Sequence, residues 1–521
     1  MKINRRRAIQ LSLLGGGCLL LPLGLSKIIP LLERKFKPFD LAFQVPPVLQ
    51  PTHSDATTDY YEIVMEKASH EIIPGLQTEL WGYNGISPGP TIRQVAGRRS
   101  QVRFINKLGQ DADQAAIDAV VHLHGMPSQP QYDGYTMDLI PPGYFKDYLY
   151  PNDRVATLWY HDHVMDLTWR NVYMGLLGLY IVEDDYEKQL PLPKGKYDIP
   201  LILESKQFAT DGSLLFNDKK KKSLFKSFPT LINGVPYPRM EVAARKYRFR
   251  ILNGSAKTFY QLALSRSQTA LTPGEMLVVI GNDGGLIDKP IPVTAPETLH
   301  VSMAERYEVI IDFSKYPVGT QLYLQNTGLK TNVDFKTPVK PLMRFDVVRQ
   351  VPDDSEIPEK LRPFETIPVS ASIQQRTFSL ANENKRWTIN HQVWDENRVD
   401  ARIKAGEIEI WTLVNPQKGK LHPMHLHIAE GQILDRNGKP PLPYERGWKD
   451  VFHVGAEETV RVALKFATRE GRPLEGRYMM HCHHLQHEDN GMMSQFIIGQ
   501  EKIDPVKAAP ARPITELQVW S

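Results

Sequence analysis

Apolar residues in this chain come in short runs that are rich in β-branched and aromatic side chains and are cut off by Gly, Pro and Asn. Val102 to Ile105, Thr157 to Tyr160, Tyr307 to Phe313 and Thr459 to Leu464 are representative. Runs of this length and make-up read as strands, and their density predicts antiparallel sandwiches with Greek-key connections. Short helices are expected in connections, notably around Ala112 to Asp118.

Aligning the turn signals exposes an internal repeat. Asn84-Gly85 precedes a strand ending at Asn106, Asn233-Gly234 precedes one ending at Asn253, and Asn390 precedes one ending at Asn415. The markers recur at about 150 residues, a common domain length. The expected fold is therefore all-β, with three Greek-key β-sandwich domains spanning 40–187, 195–350 and 365–500. Linkers are expected where charge and proline accumulate, at Glu183 to Tyr197 and Val351 to Pro368. The tail from Glu501 to Ser521 contains Pro505, Pro510 and Pro513 and is expected to run over the surface.

Composition narrows the class without naming a chemistry. A content of 23% charged and 41% hydrophobic residues describes an ordinary globular protein. The net charge of +4 is close to balance, which argues against nucleic acid as a partner. Lys219-Lys220-Lys221-Lys222 reads as a solvated loop. Before the first repeat, Arg5-Arg6-Arg7 precede an apolar stretch from Ala8 to about Leu25, resembling a twin-arginine export signal. Residues 1–32 are accordingly expected to be an export signal or an N-terminal anchor, with the twin-arginine machinery as partner and a periplasmic or cell-surface address. Cys18 lies inside that stretch, so a processed chain keeps only Cys482 and forms no internal disulfide.

Histidine distribution carries the chemistry. Random placement of 16 His predicts about half a His-x-His pair, yet four occur: His122-x-His124, His161-x-His163, His425-x-His427 and His481-Cys482-His483. One such pair alone usually means a half-buried strand with a hydrogen-bonded imidazole. Four, one of them interrupted by cysteine, point to metal. Zinc sites generally gather four ligands in one shell, whereas ten or more ligands here must serve several ions. Two imidazoles, a thiolate and a weak thioether form a blue-copper site, and His422, Cys482, His487 and Met492 supply that set. Eight histidines remain, enough for three more ions as two plus three plus three. Because strand side chains alternate between faces, His481 and His483 face away from Cys482, so one segment can touch two metal sites.

Taken together with Ser87-Pro88-Gly89-Pro90-Thr91-Ile92 and Trp159-Tyr160-His161-Asp162-His163, these groups make the chain resemble a three-domain multicopper oxidase of the bacterial spore-coat laccase and bilirubin oxidase kind, from about Tyr60 to about Gly499. The resemblance implies cupredoxin-like domains and four copper ions, one type 1, one type 2 and two type 3. It makes His122 and His425 the type 2 ligands. It assigns His124, His161 and His483 to one type 3 ion and His163, His427 and His481 to the other, with this trinuclear cluster between the first and third domains. The middle domain, with only His300 between His163 and His391, is expected to be a spacer. Glu488 and Asp133 match acidic positions that the family uses in proton delivery. Met492 stands where the family has its axial ligand, which implies a type 1 potential in the lower or middle part of the range; Met493 is one residue out of register and is expected to pack. Fungal bilirubin oxidases carry Trp two residues before the first type 1 histidine, whereas Lys420 stands here.

The function expected from this resemblance is one-electron oxidation of phenols, aromatic amines or tetrapyrroles such as bilirubin, coupled to four-electron reduction of dioxygen to water, by a monomer. A cuprous or manganous oxidase is the competing enzyme reading, weakened because the 15 Met are dispersed with no dense methionine loop. A non-enzymatic exported cupredoxin scaffold is the third, and it would be expected to have lost ligands that are all present here.

Overall fold

Each repeat ends a central strand with the same asparagine device. At the close of Arg99–Asn106, Lys246–Asn253 and Ile408–Asn415, the side-chain amide donates to two backbone carbonyls while its oxygen accepts the N–H two residues on. Asn106 takes Ile117 and Ile140 (2.8 and 2.7 Å), Asn253 takes Thr258 and Val301 (2.8 and 3.0 Å), and Asn415 takes Lys420 and Gly455 (3.0 and 2.7 Å). The accepted amides belong to Leu108, Ser255 and Gln417. Asn84, Asn233 and Asn390 form a second recurring set with φ of 54°, 50° and 52°, a region Asn tolerates. Their side-chain oxygens accept the N–H groups of Val64, Ile202 and Ser379. The repeat in sequence is thus a repeat in hydrogen bonding.

The structure, a computed structural model, describes residues 37–520 except 217–220, 226, 331, 332, 334 and 373. The expected export or anchor segment, with Arg5-Arg6-Arg7 and Cys18, lies outside the described residues, as do Lys219 and Lys220 of the lysine run. Lys221 is exposed and pairs with Asp211 at 3.1 Å. Among the described residues no helix is long and apolar enough to cross a membrane.

Among the described residues six sheets form three sandwiches, in chain order apart from the tail. In the first, a sheet built on Thr58–Ile73, Arg99–Asn106 and Tyr144–Tyr150 faces one built on Val121–His124, Ala156–Asp162 and Leu177–Glu183. Their shared core includes Phe104, Tyr148, Leu158 and Tyr180. The second is centred on Phe249, Ile251, Leu324 and Phe345. The third is centred on Trp411, Val462, Leu426 and Phe496.

Three expectations change. The sheets are mixed: Thr58–Ile73 runs parallel to Arg99–Asn106, Asp198–Ser205 to Lys246–Asn253, and Gln374–Glu383 to Ile408–Asn415. In the first repeat the intervening chain crosses to the opposite sheet through Ile92–Val95, so it returns in the same direction. The helix expected around Ala112 to Asp118 is a turn. Asp111 Oδ1 accepts the N–H groups of Asp113 and Ala115 (both 3.0 Å) and Gln114 adopts φ 64°, so a side chain captures amides a helix would need. Helices occur instead at Thr168–Met174, Asp185–Gln189 and Leu485–Glu488. The tail does more than cover a surface. Arg512–Pro513 adds a strand beside Tyr144–Tyr150, and the Arg103 guanidinium lies 3.7 Å from the Trp520 ring centroid.

Ion pairs buried at the seam join the first and second sandwiches. Arg250 is fully buried and reaches Asp198 (2.8 Å), Glu308 (3.0 Å), Glu183 (3.0 Å) and the Thr157 hydroxyl (2.9 Å). Burial opposes the charge of Asp198, but Arg250, Arg248 and Arg93 prevail and hold its carboxyl below the ordinary range. A buried charge left without its partner costs about 3–5 kcal/mol. Arg250→Ala is therefore expected to lower unfolding stability by about that amount, read as an earlier first transition in urea; a change under about 1 kcal/mol would contradict the role assigned to the cluster. Since the folded value of Asp198 lies below its unfolded one, its contribution is intact above pH ~4 and drains away as acid protonates it. Urea midpoints measured across that range in the parent and in Asp198→Asn are expected to converge at the acid end.

Candidate metal centre

The alternation of strand side chains divides the ligands as spacing implied. His422–Leu426 lies antiparallel to Gly476–Cys482, with Met424 opposite Cys482 and His425 opposite His481. Met424, Leu426, Cys482 and Met492 enter the core of the third sandwich, while His425 and His481 project from the other face. There they meet the first sandwich, where His122 pairs with His161 across Val121–His124 and Ala156–Asp162. Two sites thus form on opposite faces of one sheet.

On the outer face, ligand atoms gather within 4.8 Å of one another in three all-histidine sets: His122, His124 and His425; His124, His161 and His483; His163, His427 and His481. The eight imidazoles anticipated for three ions are therefore together, and all are buried. His124 stands close enough to belong to either of two sets.

Hydrogen bonding fixes what the rings offer inward. His122 Nδ1 donates to the Asp133 carbonyl and His425 Nδ1 to the Asp450 carbonyl at 2.9 Å. Burial, then neighbouring imidazoles, holds both rings well below the ordinary histidine range, so they are neutral. With each proton on Nδ1, both Nε2 atoms present lone pairs, and they face each other at 3.3 Å. Two lone pairs at that distance repel unless a cation lies between them. Donors that each sit about 2 Å from one ion are at most about 4 Å apart, so the pair fits a metal. His427 repeats the pattern: Nδ1 donates to Asp133 Oδ2 (2.8 Å) and Nε2 lies 3.3 Å from His481 Nε2. His163 Nε2 is 3.1 Å from that same atom. His124 Nδ1, His161 Nε2 and His483 Nε2 are buried with no protein partner. Such atoms are costly to desolvate, and metal coordination satisfies them.

On the inner face, Cys482 Sγ lies 3.6 Å from both His422 Nδ1 and His487 Nδ1. Met492 is fully buried in the same core, whereas Met493 packs with Tyr135 and Met479, as its register suggested. The one-turn helix Leu485–Glu488 brings His487 back over the sulfur, and the Met492 N–H donates to the His487 carbonyl at 3.0 Å. The His487 ring stacks with Trp387 and with His484, each at 3.7 Å. Burial pushes the Cys482 thiol up and lowers His422 to about 3. The set is neutral without a cation, and binding one would release the thiol proton.

Two carboxylates expected near the cluster are in contact with it. Asp133 binds His122 through its carbonyl and His427 through its side chain, and burial raises its carboxyl well above the usual range. Glu488 Oε2 lies 2.9 Å from His481 Nδ1 and Oε1 lies 3.7 Å from His163 Nε2. Burial alone would raise Glu488, but the two imidazoles outweigh it and hold it below its ordinary value.

Sequence reading missed Asp450 and Arg306. Asp450 Oδ1 accepts from His124 Nε2 (2.9 Å) while its carbonyl accepts from His425, and Arg306 grips both carboxylate oxygens at 2.7 Å. Arg306 belongs to the middle sandwich, which is therefore more than a spacer. Neither residue sits at a motif spacing, so only proximity reveals them. Asp162, quoted within a motif but given no role, accepts from Val120, Val164 and Asn171 and clamps the strand end between His161 and His163.

Comparison with known proteins agrees with this geometry. Residues 65–187 and 366–502 match two family models, both described as multicopper oxidase. The chain is 37% identical to a bilirubin oxidase of Albifimbria verrucaria, over 91% of this chain and 83% of that protein. It is 33% identical to a laccase of Bacillus subtilis, over 87% and 96%. Among solved structures, a variant of a multicopper oxidase from the hyperthermophile Aquifex aeolicus superposes with a TM-score of 0.76 at 30% identity, covering 88% of this chain and all of that one. Fold, clustered imidazoles and these similarities lead to one conclusion: the chain belongs to the multicopper oxidase family and is a copper oxidoreductase with oxygen as acceptor.

Proposed function

We propose that this oxidase is of the laccase type, taking single electrons from phenols, aromatic amines or tetrapyrroles and passing them to dioxygen. The observation that carries the reading is the His481-Cys482-His483 segment, whose thiol lies in one ligand set and whose imidazoles lie in two others. His422, Cys482, His487 and Met492 would hold the type 1 ion. His122 and His425 would hold type 2; His124, His161 and His483, and His163, His427 and His481, the type 3 pair. When bound, the four coppers supply electron storage and dioxygen reduction.

The protein's own part is placement, exclusion and proton supply. Burial of all eight cluster imidazoles keeps bulk water out. The Asp133, Asp450 and Asp162 carbonyls fix Nδ1 of His122, His425 and His161 as donors, which aims each Nε2 inward. Four protons accompany four electrons, and Glu488, against His163 and His481, is positioned to pass them inward, with Asp133 serving the opposite side. The proposed domains are 40–187, 195–350 and 365–500, one for each sandwich. Residues 1–32 are proposed to direct export through the twin-arginine route to the periplasm or cell surface, with the enzyme acting as a monomer.

Three measurements test this. Oxygen uptake by the copper-loaded protein with a phenol, bilirubin and Cu(I) in parallel should favour the organic donors; Cu(I) turnover far above both would make it a metal oxidase. Glu488→Gln is expected to slow oxygen reduction by about 10²-fold or more while the blue absorption persists, and unchanged turnover at every pH would reject its role. Cys482→Ser should abolish the blue band and cost one copper per chain by elemental analysis, leaving the other three in place.

A further inference from the structure

Two lysines stand at the electron-entry end without a neutralising carboxylate. Lys420, two residues before His422, is exposed and has its Nζ 6.0 Å from the Trp387 ring centroid, and Trp387 in turn stacks on His487. Lys257 is also exposed, with its Nζ 4.6 Å from the Phe228 ring centroid and 5.7 Å from that of Trp169. Its position beside the type 1 turn is set by the backbone, since the carbonyl of the preceding Ala256 accepts the Leu485 N–H at 2.9 Å. Trp169 is held to the same turn, its N–H donating to Asp489 Oδ2 at 3.0 Å. Among the described residues neither lysine makes an ion pair with a carboxylate.

We propose that Lys257 and Lys420 form a cationic lip over the type 1 end and select aromatic donors that carry a carboxylate or sulfonate. Phe228, 43% exposed, and the half-buried Trp387 and Trp169 offer aromatic faces for the donor ring. Two unpaired ammonium groups beside them supply the charge complement, and a local field of one sign raises the concentration of oppositely charged substrate at the site. The whole chain is nearly balanced at +4, so the preference is a property of this lip and not of the molecule. Docking changes no bond: each donor still loses one electron, a phenol loses its proton with it, and four such events reduce one dioxygen to two waters. The selection rests on the laccase-type reading.

The test compares a methoxyphenol carboxylic acid with its methyl ester, which share a reacting ring and differ in charge. The acid-to-ester ratio of kcat/KM, from oxygen uptake, is expected to fall on the order of tenfold in the double variant Lys257→Glu, Lys420→Glu, mainly through KM. Neutralising both positions with Gln should give an intermediate ratio, and raised salt should erode the parent's preference. An unchanged ratio in either double variant overturns the proposal. Taking the ratio cancels any shift in type 1 potential, which both donors meet alike. Quenching of tryptophan fluorescence by each compound reads binding without turnover, and equal affinity of the parent for acid and ester overturns the lip even if both are oxidised. Should neither compound support oxygen uptake while the acid still binds tighter than the ester, the laccase-type reading fails and the lip stands.

Discussion

The Arg306 grip on Asp450 is the contact on which the arrangement of the metal centre depends. Both groups are fully buried, and the bidentate pairing at 2.7 Å offsets the cost of removing two charges from water. Burial would raise the Asp450 carboxyl, but Arg306 keeps it ionised, and an ionised carboxylate can serve as acceptor for His124. The backbone carbonyl of the same residue orients His425. Arg306 Nε also donates to the Thr157 carbonyl at 2.9 Å, on the strand that carries His161. One guanidinium from the second sandwich therefore registers the first against the third at the place where their histidines converge.

From that registration the rest follows by strand geometry. A one-residue slip in a strand exchanges its two faces, so the pairing of His425 with His481 and of Met424 with Cys482 keeps imidazoles outside and the thiol inside. Carbonyls and a carboxylate then set the proton on His122, His161, His425 and His427, because an acceptor at Nδ1 leaves only a lone pair at Nε2. Inward-facing imidazoles in a buried interface suit a cation. The His487 ring, on the one-turn helix, is likewise held by its neighbours, stacked between Trp387 and His484.

Some of this was legible beforehand for particular reasons. The asparagine markers were readable because each one performs the same local hydrogen bonding within a few residues of itself. The helix expected near Ala112 failed because Asp111 competes for the amides, a side-chain effect that composition does not reveal. The parallel strand pairs were not foreseen, since strand direction depends on which sheet the chain crosses to. Asp450 and Arg306 were invisible for a related reason: a second layer around a metal is assembled from whatever the fold brings near and carries no spacing of its own.

What the amino-acid order determined by itself was the set of donors and their local phase, because His-x-His and His-Cys-His in strands assign faces through a period of two. It also determined the threefold repeat, written in turns that close over short distances. What only the tertiary structure decided was which rings meet, which nitrogen of each looks inward, and that the middle sandwich supplies the clasp. Those outcomes depend on contacts between residues hundreds of positions apart, such as His122 with His425, and no local rule of the chain encodes them.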